Sequence, residues 1–231
     1  MLYRSNKLMY DRQTHTLWHQ FLGEPAVGPL ADSGIVLEVL PVLVTTWAEW
    51  LAEHPDTTVL ALETGVYPPS SYASESDRRS IYFYYRRDPE TMFPVFQRSD
   101  LLTTKSQVLG LKVDGQTRAY PLDLLLQEPV INDSLGGQNL VVVTSPMGGG
   151  ARAYQRDEYE FSLAPGRDTG EGLPILADQH GQLWQVREDA LAKVDNPKQL
   201  LPRLPAHIAY WFGWYAFYPG TEVYGMGGPT P

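Results

Sequence analysis

Between Thr45 and Leu60 the large apolar and aromatic side chains recur at helical spacing. Trp47, Trp50, Leu51 and His54 fall at i, i+3, i+4 and i+7, which is one face of a helix. Thr46 and Glu49 form a capping box at its start, hydroxyl and carboxylate covering free amides. Pro55 ends it, since its ring cannot continue the ladder. A second segment, Ala209 to Tyr224, aligns with the first without a gap: Trp47/Trp211, Trp50/Trp214, Ala52/Ala216, Pro55/Pro219, Thr57/Thr221 and Val59/Val223 coincide. The indoles and the proline persist while the polar positions change. The pattern therefore predicts scaffold, with both pairs of indoles buried where a short helix anchors on a sheet.

Elsewhere the chain reads as strands punctuated by turn residues. "VLGLKVDGQTRAYPL" is strand, Asp114-Gly115 turn, strand. In "PVINDSLGGQNLVVVTS", Asn132-Asp133 and Gly136-Gly137 supply the turn, and "ARAYQRDEYEFSLAP" adds two more strands. "LMYDRQTHTLWHQ" and "PILADQHGQLWQV" both read as hairpins ending in Leu-Trp. Beyond the Trp segments only "LDLLLQE" and "REDALAKV" look helical. The predicted fold is α+β, mainly antiparallel β with a few short helices and a hairpin–helix–strand unit occurring twice. Residues 1–66 form the later half of a first unit. Residues 67–107 form a linker with a Ser/Pro-rich loop and the aromatic run "IYFYY", and residues 108–231 a complete second unit. Together they make one globular body.

Composition narrows the partners. The net charge is −9, which argues against a nucleic-acid backbone or an anionic membrane surface. There is no cysteine, so disulfides, thiolate nucleophiles and cysteine-type metal sites are excluded. The longest apolar stretch, "GIVLEVLPVLV", is broken by Glu38 and Pro41, and falls short of the roughly 20 residues that cross a bilayer. The start lacks the basic and apolar runs of a signal peptide. As written the chain reads as soluble, and its compartment stays open.

"LYRSNKLMYDRQTHTLWHQFLGEPAVGPL", "LPVLVTTWAEWLAEHPDTTVL", "GLKVDGQTRAYPL", "VINDSLGGQNLVVV" and "WFGWYAFYPGTEVYG", in that order, resemble the bacterial and archaeal family called domain of unknown function 3179. The resemblance covers essentially the whole chain and implies a tandem-repeat architecture without an established activity. It also implies that the first unit starts late, without its opening strands, and that full-length relatives are exported. The resemblance places the family's Cys-Pro-x-Cys-Gly element in the first unit, after the Val-rich strand; the equivalent stretch of the second unit here is "VVVTSPMGGG", so a metal or redox role attached to those cysteines is not carried over.

Candidate chemistry is sparse. In the first Trp segment, Glu49, Glu53, His54 and Asp56 stand where the second has Gly213, Phe217, Tyr218 and Gly220. His54 beside acids could act as a base with a carboxylate orienter, or simply sit half-buried as Tyr218 would. Asp11, Arg12, Trp18 and His19 gather around one hairpin. His15 and His19 would share a strand face if both lie on the strand, but no third metal ligand follows. Gly148 to Gly150, with Arg152 behind them, admit a phosphate cradle, although no P-loop ending or helix follows and a hairpin turn is the better account. The ligand-contact candidates are thus Asp11, Arg12, Trp18, His19, Glu49 and His54; no catalytic residue, cofactor or metal is assigned.

Three functions follow as expectations. The first is a binding or structural module taking a small molecule, glycan or peptide along an aromatic groove that includes Tyr82 to Tyr85 and Trp18. The second is a hydrolase or lyase using His54 or His19 with a neighbouring acid, and beside it stands a metal-associated protein whose cysteine motif is missing. The third is an assembly component with an apolar patch where strands are absent. The hairpin from Leu8 to Gln20 is expected to present an unpaired edge, either covered by the second unit or used in a homodimer.

Overall fold

A computed structural model of the chain describes residues 2–74, 76–145, 150–165 and 173–226. The first sheet contains β1 (Leu2–Tyr3), β2 (Asn6–Asp11), β3 (Thr16–His19) and β4 (Pro25–Val27), in that order. Arg4 and Ser5 take φ of 46° and 63°, the left-handed turn that lays β1 back on β2. β4 returns along the other side of β3. On the 8–20 hairpin β4 covers the β3 edge at Leu17 and Trp18, whereas β1 reaches β2 only at Asn6 and Lys7, so among the described residues Leu8–Asp11 keeps an outer edge without a strand partner. His15 lies in the turn with φ 56°, so it shares no strand face with His19.

An extended stretch leads to α1 (Trp47–Glu53); a 3-10 turn at Pro69–Tyr72 and α2 (Ile81–Arg87) follow. The Ser80 hydroxyl accepts from the Tyr82 amide and caps α2. The aromatic run is thus a helix with Phe83 buried and Tyr82 and Tyr84 exposed, not a continuous aromatic wall.

From Gln107 on, the turn chemistry places the strands. β5 (Gln107–Val113) and β6 (Gln116–Pro121) turn at Asp114 and Gly115, whose φ are 45° and 81°. α3 (Leu122–Leu125) precedes β7 (Val130–Leu135) and β8 (Gln138–Thr144). β7 runs straight through Asn132 and Asp133; Gly136 and Gly137, at φ 58° and 76°, make the turn alone. β9 (Ala151–Gln155), β10 (Phe161–Leu163), β11 (Ile175–Asp178), β12 (Leu183–Val186), β13 (Ala190–Lys193) and β14 (Leu200–Leu204) complete an eight-stranded sheet. Its order is β10-β11-β12-β13-β14-β9-β8-β7, antiparallel throughout. The predicted helix at "REDALAKV" is strand β13. Ala190, Leu191 and Ala192 are buried in succession, as in a strand covered on both faces.

The two ends of this sheet meet without a strand ladder. The Asn132 side chain on β7 donates to the Phe161 carbonyl at 2.7 Å and accepts from the Phe161 amide at 2.8 Å on β10. One carboxamide thus imitates a backbone pair, and the sheet curls into a near-barrel. On β8 the side-chain alternation divides the core. Val141 and Val143 join Tyr154, Phe161, Leu176 and Trp184 in one cluster, while Leu140 and Val142 join Leu109, Leu111, Tyr120 and Ile131 in another.

The third sheet, β15-β5-β6-β16, takes in β15 (Ala206–Tyr210) and β16 (Glu222–Val223), with α4 (Trp211–Phe217) between them. All its pairs are antiparallel except β16 with β6. Trp211 and Trp214 of α4 pack with Val108, Ala119 and Val223 in a third cluster. A Cβ on Gly110 of β5 would come within 2.4 Å of the Trp214 ring, so the indole lies on bare backbone there.

The other Trp pair behaves differently from the expectation. Trp211 and Trp214 are 1% and 0% exposed, whereas Trp47 and Trp50 are 51% and 36% exposed. Among the described residues the Trp47 and Trp50 indoles belong to none of the three buried clusters, so they do not anchor the core as Trp211 and Trp214 do.

Candidate functional site

Glu49 is the acidic residue with the least exposure among the described residues, at 2%. The Thr46 hydroxyl caps α1 by accepting from the Glu49 amide at 3.2 Å. The carboxylate, expected to close the capping box, pairs instead with Arg152 on β9. Both partners are almost wholly buried, at 2% and 1% exposure. Glu188 approaches Arg152 at 3.8 Å and Arg203 at 3.6 Å. Arg203 also donates to the carbonyls of Glu188 and Val42, at 3.1 and 2.9 Å. Burial lowers the Arg203 pKa and raises that of the neighbouring Tyr154 phenol, which donates to the Arg187 carbonyl. This network clamps the segment entering α1 to the end of the eight-stranded sheet. Gly150 sits at the same junction with φ 124°, and a Cβ there would collide with the Val44 carbonyl. The rest of the glycine run, Gly148 and Gly149, lies outside the described residues.

The clamp is not fully satisfied. Among the described residues Thr45 Oγ1, Glu49 Oε2, Thr144 Oγ1, Arg152 Nε and Arg203 Nε are buried without a hydrogen-bond partner. Such atoms are costly in a dry interior.

Next to this junction lies an open cleft of about 450 Å³. Thr45 and Thr46 line one side. Asn6 of β2 and Gln20 beyond β3 line another, and Gln107, Ile208, Tyr210 and Gly213 close it. A second cleft of about 430 Å³ shares Arg86, Gln107 and Tyr210 with the first and continues past Lys105, Asp88 and Asp123. Tyr210 is half-buried, stacks on Phe212 at 5.9 Å and meets Tyr85 edge-on at 6.4 Å. Lys105 donates to the Tyr85 and Asp88 carbonyls and lies 3.9 Å over the Tyr85 ring. Burial lowers its pKa. Asn6 is engaged through its amide with the carbonyls of Arg4 and Gly213, both at 3.0 Å. The walls of the first cleft thus combine amides and hydroxyls with the rings of Phe21, Tyr210 and Phe212, the aliphatic Val44, Leu122 and Ile208, and the cation Arg86.

The other sequence candidates stand apart from this cleft. Asp11 caps the β2–β3 turn by accepting from the Thr14 hydroxyl and the Gln13 amide, and these bonds lower its pKa. Arg12 is exposed in that turn and Trp18 is buried. His19 is enclosed edge-on between Tyr3 at 4.6 Å and Phe217 at 5.3 Å, and burial lowers its pKa. The His54 ring lies tilted by 38° against Trp50, with centroids 4.1 Å apart. Among the described residues His19 Nδ1 and His54 Nε2 are buried without a hydrogen-bond partner. Among the described residues no three His, Asp or Glu side chains converge as a metal site would need. Of the six candidates, only Glu49 lies in the clamp beside the cleft. Arg203, Gln107 and Tyr210 escaped the sequence reading. A lone arginine such as Arg152 within the strand "ARAYQ" is a signal of a buried cation, but its partner is 103 residues away.

A sequence profile described as "Protein of unknown function (DUF3179)" matches residues 1–221. No curated protein and no solved structure matches the chain.

Proposed function

We propose that this chain, which belongs to the DUF3179 family of proteins of unknown function, is a binding module for a small polar molecule of the chemistry of a sugar unit. The observation that carries this reading is the cleft, where Thr46, Gln20 and Gln107 stand around Tyr210. Hydroxyl and amide groups donate and accept without net charge. An aromatic ring beside them offers an apolar face, the mixture that pyranose rings exploit. The clamp of Glu49 on Arg152 fixes the Thr45–Thr46 wall and gives the site rigidity, which lowers the ordering cost of binding.

The test is an amide chemical-shift titration of isotope-labelled protein with glucose, N-acetylglucosamine and maltose. Saturable shifts should cluster at Thr45, Thr46, Gln107 and residues 208–213, and vanish in Tyr210→Ala and Gln107→Ala proteins that keep the native spectrum elsewhere. Shifts scattered over the surface, or unchanged by both substitutions, would sink the reading.

A further inference from the structure

Gln107 and Tyr210 stand in both clefts, but the second cleft differs from the first in charge. Arg86, Arg87 and Lys105 line it, against the carboxylates of Asp88 and Asp123. The whole chain has 18 lysines and arginines in 231 residues and a net charge of −9, so three cations gathered in one cleft run against its general composition. Among the described residues neither Arg87 nor Lys105 forms an ion pair with a carboxylate. Their charge is not spent inside the fold.

Both cations are also positioned in advance. The Lys105 ammonium, with three protons to give, donates to the Tyr85 and Asp88 carbonyls at the end of α2. It lies 3.9 Å from the centre of the Tyr85 ring and 5.7 Å from that of Tyr210. The Arg87 guanidinium lies 4.4 Å over the buried Phe83 ring. Charges held in this way lose less side-chain freedom when a ligand arrives. Tyr210 offers the aromatic face of the first cleft, so a sugar ring resting on it directs an exocyclic group towards Lys105. Three cations against two carboxylates leave one positive charge on the lining. That balance suits a singly charged carboxylate better than a phosphate, whose charge at neutral pH approaches two.

The geometry points to an acidic sugar as the ligand of the joined clefts: a hexose unit on Tyr210 whose carboxylate reaches Lys105 and Arg87. This inference rests on the sugar reading above and adds the charge to it. Thr46 and Gln107 meet the ring hydroxyls, while the ammonium and the guanidinium fork meet the carboxylate. Charge-assisted bonds of this kind are stronger than neutral ones, and they rank a uronate above its uncharged counterpart. Asp88 and Asp123 repel a second negative charge, which separates a uronate from a sugar phosphate.

The probes are glucuronate, glucose and glucose 6-phosphate, each titrated into the isotope-labelled full chain, with acetate as the carboxylate alone. Glucuronate should bind about tenfold or more tightly than glucose, the scale of a hydrogen bond to a charged group. It should shift the amides of Arg87 and Lys105 together with those of Gln107 and residues 208–213, and its margin over glucose should shrink as salt rises. Arg87→Gln should erase most of that margin while the spectrum elsewhere stays native, and Arg87→Lys should restore part of it. Equal affinities for glucuronate and glucose would overturn the inference and leave the sugar reading standing. So would a margin unchanged in Arg87→Gln, a preference for glucose 6-phosphate, or acetate binding as tightly as glucuronate. No saturable shift at these residues with any of the three sugars would sink both.

Discussion

Trp50 and Trp214 make the same hydrogen bond to a threonine seven residues on, yet one is half-exposed and the other has no exposure at all. The spacing of Trp, Pro and Thr was legible because it encodes a local geometry. Burial was not legible, because it depends on which strands lie across the helix. Trp214→Ala should therefore cost about 3–5 kcal/mol in urea unfolding, and Trp50→Ala less than about 1 kcal/mol. At the clamp, Glu49→Ala leaves the Arg152 guanidinium buried and uncompensated, for a loss of about 3–5 kcal/mol. Glu49→Met with Arg152→Met together should recover most of it in the same assay. His19 and His207 supply a pH signature. Burial holds both pKa values below the usual imidazole value, so the unfolded chain takes up protons first as pH falls through about 6.5. Their contribution to stability is thus intact above that pH and declines below it, until the folded-state values are reached. The urea midpoint should drop between pH 8 and 5.5, and less so in His207→Gln.

Among the elements, hairpins whose turns demand left-handed backbone were readable, as at Asp114-Gly115 and Gly136-Gly137. "REDALAKV" misled because a buried strand and a short helix both present an apolar run, and four residues are too few for the period to decide. "IYFYYRRD" hid a helix because its Ser80 cap sits behind a string of aromatics that favour strands. β5 owes its central Gly110 to the indole above it. Gly110→Ala should destabilise the protein by about 1–3 kcal/mol through overpacking, and the near-ultraviolet circular dichroism of Trp214 should weaken with it.

Across the whole molecule, the strand-rich α+β character followed from turn spacing and alternation. Three sheets and their order did not, because long-range pairings such as β14 with β9 leave no trace in local pattern. The cleft was illegible for the same reason: its walls come from Asn6, Thr45, Gln107 and Tyr210, far apart in the chain and unremarkable one by one. The exposed Trp47/Trp50 face was illegible too, since the shared spacing led both pairs of indoles to be expected in the core.

The seam at Asn132 gives the near-barrel a chemical clock. Asparagine ages to aspartate by taking up water and releasing ammonia, and at this position the change would trade the amide donor for a second carboxylate oxygen facing the Phe161 carbonyl. Repulsion would then stand where a bond joined β7 to β10. Asn132→Asp, as a stand-in for old protein, should unzip that seam, seen as faster exchange at the Phe161 amide and a lower melting temperature. The age of a sample would thus be written in one side chain.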